Sequence, residues 1–401
     1  MAMADTVVLV AERMVSGGAA LCRDPHGEVV LVEGALPGET VGVLVGTRRR
    51  GGVKRGRVIA VESASPDRVE PPCPAVARGC GGCRWQHAAP AAQVAYKLDV
   101  VMDALGRVGG YAPGEVEVTA APALPPMGAR TTLRMAVEAG RPGFRGHRSH
   151  DVVGVEACPV AHPLVDDMIA TTDFGSAREA TLRCGAGTGD RLVVTAPDAV
   201  DVDAAPDVVV VGEDELAAGA SAWFHEVVAG RRWRISAGAF FQTRPDGAEA
   251  LVDAVRAAAG DALTGDPVLL DAYCGVGIFG GSLGEPSRVI GVESHPGAAA
   301  DAVANLADRH VDVVCGDVAA WTPEPVDLVV ADPARSGLGP DAAAVLATTG
   351  AARLVLVSCD AAACGRDARL LAGEGYTPVS ATVVDLFPHT PHVEVVTRFD
   401  R

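Results

Sequence analysis

Hydrophobic and polar positions are arranged in three different ways along the chain, and each predicts a different kind of element. From Thr6 to about Ser65, short apolar runs at residues 29–33, 40–46 and 53–61 are separated by turns such as Gly34-Ala35-Leu36-Pro37-Gly38. Evenly spaced short strands between glycine and proline turns predict a small OB-like β-barrel. Residues 91–108 carry the spacing of an amphipathic helix, and residues 116–228 are mixed and strand-rich. Beyond Ser236 the pattern changes again. Runs at 268–272, 288–293, 311–315, 326–331 and 353–358 are apolar with little alternation, as expected of strands buried on both faces. Helix-like stretches at 243–262, 295–308, 341–348 and 361–374 alternate with them, which predicts a doubly wound parallel sheet. Two last runs, 379–385 and 393–399, have no helix between them and predict an antiparallel hairpin closing that sheet. The expected fold class is α/β: a Rossmann-like C-terminal sheet over 236–401, an N-terminal barrel over 1–64, and a mixed α+β middle domain over 65–235.

Composition narrows this picture. The chain has 401 residues, enough for two or three domains, and no apolar run reaches the roughly 18 residues of a membrane span. The N-terminus has neither a charged leader nor a cleavable apolar segment, so a cytoplasmic protein with no membrane partner is expected. Ten cysteines in such a protein point to metal binding or catalysis rather than disulfides. The net charge of −17 hides an asymmetry: residues 1–150 hold 18 Lys/Arg against 14 Asp/Glu, or +4. A basic front on an acidic body fits one region that grips phosphates and another that does chemistry. Six positive charges fall within residues 48–57, Arg48-Arg49-Arg50-Gly51-Gly52-Val53-Lys54-Arg55-Gly56-Arg57, with no acid among them. A second basic stretch holds Arg130, Arg134, Arg141, Arg145 and Arg148.

Candidate chemistry gathers at strand ends, where open α/β sheets place their ligands. The run 354–358 ends in Cys359, the run 326–331 in Asp332, and the run 268–272 in the loop Tyr273-Cys274-Gly275-Val276-Gly277. The two glycines, Gly275 and Gly277, allow a tight turn and a close approach to a ligand. Glu293, at the end of the next strand, stands where an acidic residue accepts hydrogen bonds from a ribose; Asp317 and Asp332 add polar groups to the same crevice. A separate set, Cys73, Cys80, Cys83 and Cys158, has the composition of a four-thiolate site. Its spacing departs from paired zinc ribbons and favours an iron–sulfur cluster, with zinc as the competing occupant.

Together, Ser358-Cys359, Asp332-Pro333-Ala334-Arg335, Phe240-Phe241-Gln242 and Phe387-Pro388-His389-Thr390-Pro391-His392-Val393-Glu394 resemble the S-adenosylmethionine-dependent RNA uridine C5-methyltransferases. The N-terminal part, including Gly34-Ala35-Leu36-Pro37-Gly38-Glu39, is similar to that family's TRAM domain, and the four cysteines to its [4Fe-4S] site. The resemblance implies that Cys359 attacks C6 of a uracil, that C5 takes the methyl group, and that Glu394 removes the C5 proton. It also implies that Gln242, Tyr273, Glu293, Asp317 and Asp332 line the cofactor and base pocket. RNA is then the partner, ribosomal RNA being favoured over transfer RNA, with no obligate protein partner. Two positions depart from the family: Ile278 stands where relatives often have Asn, and Asp360-Ala361-Ala362-Ala363-Cys364 replaces Asn-Pro-Ala-Thr-Leu. A cytosine C5-methyltransferase shares the logic of attack at C6, but such enzymes usually place a proline before the nucleophile, where this chain has Ser358. An RNA-binding iron–sulfur protein without activity is the reading from outside enzymology. If Cys359 is the nucleophile, a site that lowers its pKa is expected.

Overall fold

The structure, a computed structural model, describes residues 5–46, 52–198 and 201–401. Five strands, β1 (Asp5–Met14), β2 (Ala20–Arg23), β3 (Val29–Glu33), β4 (Thr40–Val45) and β5 (Lys54–Ser63), close into a barrel in the order β1-β2-β3-β5-β4. Alternate valines face inward and are buried, among them Val30, Val32, Val41 and Val43. Arg48, Arg49, Arg50 and Gly51 of the expected basic run lie outside the described residues. In the described part, Lys54 is not a free charge: its Nζ lies 2.7 Å from Asp24 and 2.6 Å from Glu28. The parallel pairing of β3 with β5 brings those two acids alongside, although they are some 30 residues away in sequence.

A strand β6 (Glu117–Ala120) comes next, and then a six-stranded sheet. Its strands are β7 (Thr132–Glu138), β8 (Arg141–Arg145), β9 (Val152–Gly154), β10 (Glu179–Cys184), β11 (Arg191–Ala196) and β12 (Val208–Gly212), in the order β12-β11-β10-β7-β8-β9. Leu133, Met135 and Leu182 pack with Val165 and Met168 of the helix Pro163–Thr171 to form its core. The arginine-dense stretch does not make an open basic face here. Arg134 and Arg145 converge on Glu179 at 2.5 and 3.0 Å, because β10 and β8 flank β7 on either side. Arg148 pairs with Glu33 at 2.9 Å.

After the hairpin β13 (Trp223–Val228) and β14 (Arg231–Ser236) comes the sheet that carries the candidate chemistry. Its strands are β15 (Val268–Ala272), β16 (Arg288–Glu293), β17 (Val311–Cys315), β18 (Leu328–Ala331), β19 (Arg353–Ser358), β20 (Thr377–Val384) and β21 (Glu394–Asp400). The order is β17-β16-β15-β18-β19-β21-β20-β6. The first five are parallel, and β21 lies antiparallel between β19 and β20. Central strands are continuous hydrophobic runs because helices cover both faces; Leu354 to Val357 are all fully buried.

Two elements drawn from the span 65–235 belong physically to this sheet. β6 pairs in parallel with β20 and forms the sheet's far edge. The helix Pro90–Ala104, started by a proline at its first turn, buries Tyr96, Val100, Val101 and Ala104 in the same core. It crosses the helix Ala361–Gly373 so closely that a Cβ on Gly365 would stand 2.5 Å from the Ala104 carbonyl oxygen. Among the described residues no helix is long and apolar enough to cross a membrane.

Candidate active site

The loop after β15 is bent by three left-handed residues: Tyr273 at φ 62°, Gly275 at 55° and Gly277 at 92°. A side chain on Gly277 would also meet Leu306 at 2.9 Å. Asp271 is fully buried and its Oδ2 accepts from the Gly280 amide at 2.8 Å, tying the loop to the helix that follows. Its Oδ1 has no partner among the described residues, and burial beside Asp332 and Glu293 pushes this carboxyl up to about 7. Glu293 closes the turn from the neighbouring strand, accepting from the Gly275 amide at 3.0 Å and the His295 amide at 2.6 Å.

These strand ends open on a cavity of about 490 Å³. It brings together Gln242, Tyr273, Gly275, Glu293, Asp332, Cys359 and Glu394, seven of the nine residues expected at the cofactor and catalytic site. Gly277 and Asp317 are not on its wall. Asp317 is exposed and uses its Oδ1 to accept from the Ala319 amide at 2.9 Å, although its charge is felt at Tyr273. Ile278 lines the cavity as an apolar contact. His295 and Phe279 also line it, with nothing in the sequence to mark them, as do Arg335 and Phe240, for which the motifs implied no role; Phe240 is an aromatic ring left 69% exposed at the rim.

Cys359 and Glu394 meet through strand register. β19 and β21 pair antiparallel with Ser358 opposite Val395, so the next residue on each side, Cys359 and Glu394, face one another at the sheet's end. Asp360 then caps the helix Ala361–Gly373 by accepting from the Ala363 amide at 2.9 Å. Cys364 is buried, 3.7 Å from the Thr397 hydroxyl and away from the cavity. The expectation of a lowered thiol pKa at Cys359 is not met. Burial, Glu394 and Asp332 together push it up to about 11, against the opposing pull of the Arg335 guanidinium and a backbone hydrogen bond. Glu394 is held well above the ordinary carboxylate range by burial and by Asp332, which itself rises to about 7.

The four cysteines of the other set line a cavity of about 50 Å³ with Arg130 and Phe144. Their loop is wrapped tightly against β8: a Cβ on Gly81 would stand 2.6 Å from the Arg145 carbonyl oxygen. Cys158 donates its amide to Asp166 at 2.6 Å and Cys73 to Gln86 at 3.1 Å. Among the described residues no group of three or more His, Cys, Asp or Glu side chains is gathered closely enough to hold a metal ion.

This second site adjoins the first through residues 385–392. Trp85 donates its amide to the His389 carbonyl at 2.8 Å and its indole N–H to Gly18 at 3.0 Å. Gln93 accepts from the His389 amide at 2.6 Å, and the fully buried Lys97 reaches Asp385 at 2.5 Å and the Phe387 carbonyl at 3.0 Å. Neither Gln93 nor Lys97 stood out in the sequence; the one available signal was that Lys97 is one of only two lysines in the chain.

A parallel sheet closed by an antiparallel hairpin, with a cavity across its strand ends, is the architecture of an α/β methyltransferase. A protein of known structure that shares the fold over the whole chain is the Pyrococcus abyssi tRNA (uracil-54, C5)-methyltransferase, solved with S-adenosyl-L-homocysteine. It has a TM-score of 0.73, 23% identity, and coverage of 98% of this chain and 100% of that one. No protein-family model matches the chain. An uncharacterised RNA methyltransferase of Streptomyces avermitilis is 37% identical over 412 residues, covering 95% of this chain and 94% of its own. The 23S rRNA (uracil(1939)-C(5))-methyltransferase of Methylococcus capsulatus is 32% identical over 424 residues, covering 94% and 93%. The chain belongs to the RNA methyltransferases.

Proposed function

We propose that the protein methylates C5 of a uridine in structured RNA, 23S ribosomal RNA being the favoured substrate and transfer RNA the alternative. The observation that carries this reading is the β19–β21 register, which sets a thiol beside a buried carboxyl at one end of the cavity. Uracil C5 is a poor nucleophile until something adds at C6. The Cys359 thiolate adds there, and the ring's electron pair becomes available at C5. S-adenosylmethionine, when bound, supplies an electrophilic methyl group to that carbon. Tyr273, Gly275 and Glu293 would hold it; the apolar walls from Val276 and Phe279 and the carboxylate at the end of β16 suit its mixed character. Glu394, ionised, takes the C5 proton, the C6–S bond breaks, and the thiolate leaves. The reacting base has to leave its stack to reach this pocket. The 32% identity to a 23S rRNA uracil C5-methyltransferase supports both the reaction and the ribosomal substrate, which would be met in the cytoplasm.

In this reading residues 1–64 form a TRAM-type RNA-binding barrel, 65–235 a middle domain and 236–401 the methyltransferase domain. Cys73, Cys80, Cys83 and Cys158 would hold a [4Fe-4S] cluster, whose thiolate set is theirs in number and type. That the four line one small cavity supports a shared metal group, and the departure of their spacing from paired zinc ribbons favours the cluster over a single zinc ion.

The test is a denaturing gel of the protein incubated with S-adenosylmethionine and cellular RNA containing 5-fluorouridine. Fluorine at C5 blocks proton removal, so wild type should form a covalent RNA adduct that Cys359→Ala does not. Sequencing the trapped RNA separates ribosomal from transfer RNA. No adduct on ribosomal or transfer RNA transcripts from protein with bound cofactor would point instead to a non-catalytic RNA-binding protein.

A further inference from the structure

Cys359 and Arg335 line a second cavity besides the large one. It measures about 180 Å³ and lies between Cys359, the barrel loop at Ser16 and Gly17, and Arg84, Arg335 and His392. Its electrostatics run against those of the whole chain, which carries −17. Neither Arg84 nor Arg335 has a carboxylate in ion-pair contact among the described residues, whereas Arg288, Arg353 and Arg398 on the strands of the large sheet each do. The one acid on the wall, Asp360, is engaged in capping its helix. Arg335 Nη2 stands 3.1 Å from His392 Nδ1. An arginine can only donate, so Nδ1 accepts, and the imidazole is neutral with its proton on Nε2. Burial together with the positive charges of Arg335, Arg84, Arg130 and Lys97 keeps it so, lowering His392 to about 4. Arg84 is fixed from both sides. Its Nη1 donates to the Gly17 carbonyl at 3.0 Å, Cys83 precedes it, and the buried Trp85 follows it.

Unpaired guanidinium groups at the mouth of an acidic protein's reaction site call for an anionic ligand. We propose that this smaller cavity seats an RNA backbone phosphodiester flanking the reacting nucleotide, with Arg84 and Arg335 as its donors. The inference rests on the reading of the large cavity as the site of base methylation. It gives the four-cysteine segment a task in catalysis, since that loop holds Arg84 in place while the barrel loop closes over its side chain. The base enters the large cavity from the side where Cys359 joins the two, and its phosphate stays behind in the small one.

The test uses full-length protein with its cysteine site loaded and a fluorescein-labelled nine-nucleotide oligouridylate, followed by anisotropy between about 50 and 300 mM KCl. Each phosphate contact on a single strand contributes about 0.7 to the slope of log K against log salt. Arg84→Gln should therefore flatten the slope by about 0.7 and weaken binding several-fold at the lowest salt. Arg84→Lys, which keeps the charge, should restore the slope, and Arg107→Gln, at an exposed arginine paired with Asp103 and not on the cavity's wall, should leave it unchanged. S-adenosylhomocysteine affinity should be equal in all four proteins. Inorganic phosphate in millimolar excess should weaken wild type and leave Arg84→Gln unaffected. An unchanged slope in Arg84→Gln overturns the proposal, as does loss of S-adenosylhomocysteine binding in parallel with RNA binding, which would mark Arg84 as structural. 5-Methyluridine formation by wild type is scored separately, so failure of the uridine reading is seen independently of the phosphate result.

Discussion

A thiol pushed up to about 11 is almost wholly protonated at neutral pH, so Cys359, the proposed nucleophile, is restrained in the free protein. The restraint comes from burial and from two carboxyl groups that three different strands bring together, a convergence no local stretch of sequence records. The strand end at Cys359 was legible because Leu354 to Val357 read as a buried run; the thiol's surroundings were not. Iodoacetamide labelling of Cys359, followed by peptide mass spectrometry, should be slow at pH 7 and rise about tenfold per pH unit towards 11. Sinefungin, which brings an ammonium into the cavity, should move that curve to lower pH; a rate already level at pH 8 without it contradicts the raised thiol. Glu394→Gln should let addition and methyl transfer proceed but block release, so that ordinary uridine RNA accumulates as a covalent adduct on a denaturing gel. Asp332 bears on stability. Its carboxyl ionises near 3.8 when unfolded and near 7 when folded, so rising pH takes a proton from the unfolded chain first and favours unfolding across that window. Asp332→Asn should thus raise the melting temperature at pH 8, with little change at pH 4, while lowering activity.

At the scale of elements, the parallel strands and the closing hairpin were readable because each is a short apolar run bounded by turn residues. β6 was not. Its four residues, Glu117-Val118-Thr119-Ala120, are largely exposed on an edge, and only their pairing with β20 makes them a strand. The helix Pro90–Ala104 was legible as amphipathic, but its role was not, because Gln93 and Lys97 are polar residues on its buried side. They fasten residues 385–389, which lead into β21 and Glu394. Removing one partner of a buried ion pair costs about 3–5 kcal/mol, so Lys97→Met should lower the midpoint of urea unfolding. Because the loop ahead of Glu394, the proposed base, is loosened, kcat should fall by about tenfold or more while S-adenosylhomocysteine affinity holds. The double variant Lys97→Met, Asp385→Leu should recover stability without recovering kcat. Equal recovery of both would mean the pair contributes to folding alone.

At the scale of the molecule, three regions distant in sequence share one junction. Gly18 of the barrel lies so close to Pro391 that a Cβ there would stand 2.6 Å from the proline Cβ, and Trp85 of the cysteine segment bonds to both Gly18 and His389. Loss of the metal cluster proposed for the four cysteines should therefore be felt by RNA before it is felt by the cofactor. Cys83→Ser should weaken binding of the labelled oligouridylate several-fold and leave S-adenosylhomocysteine titrations unchanged; parallel loss of both would place the cysteines in general folding. The C-x6-C-x2-C spacing drew three cysteines together and Cys158 joined them only as a distant partner, while the junction itself depends on contacts as far apart as Gly18 and Pro391 and leaves no trace in any one segment.

The position of β21 also sets an order in time. It is made after β19 and β20 yet lies between them, so β20 and β6 have no strand pairing with the rest of the sheet until β21 has left the ribosome and slotted in. Glu394 arrives with that same strand. A nascent chain can therefore expose its thiol before the proposed base is in place, and because burial and Glu394 are themselves among the causes of the raised Cys359 pKa, the thiol is held protonated in full only once that strand has completed the site.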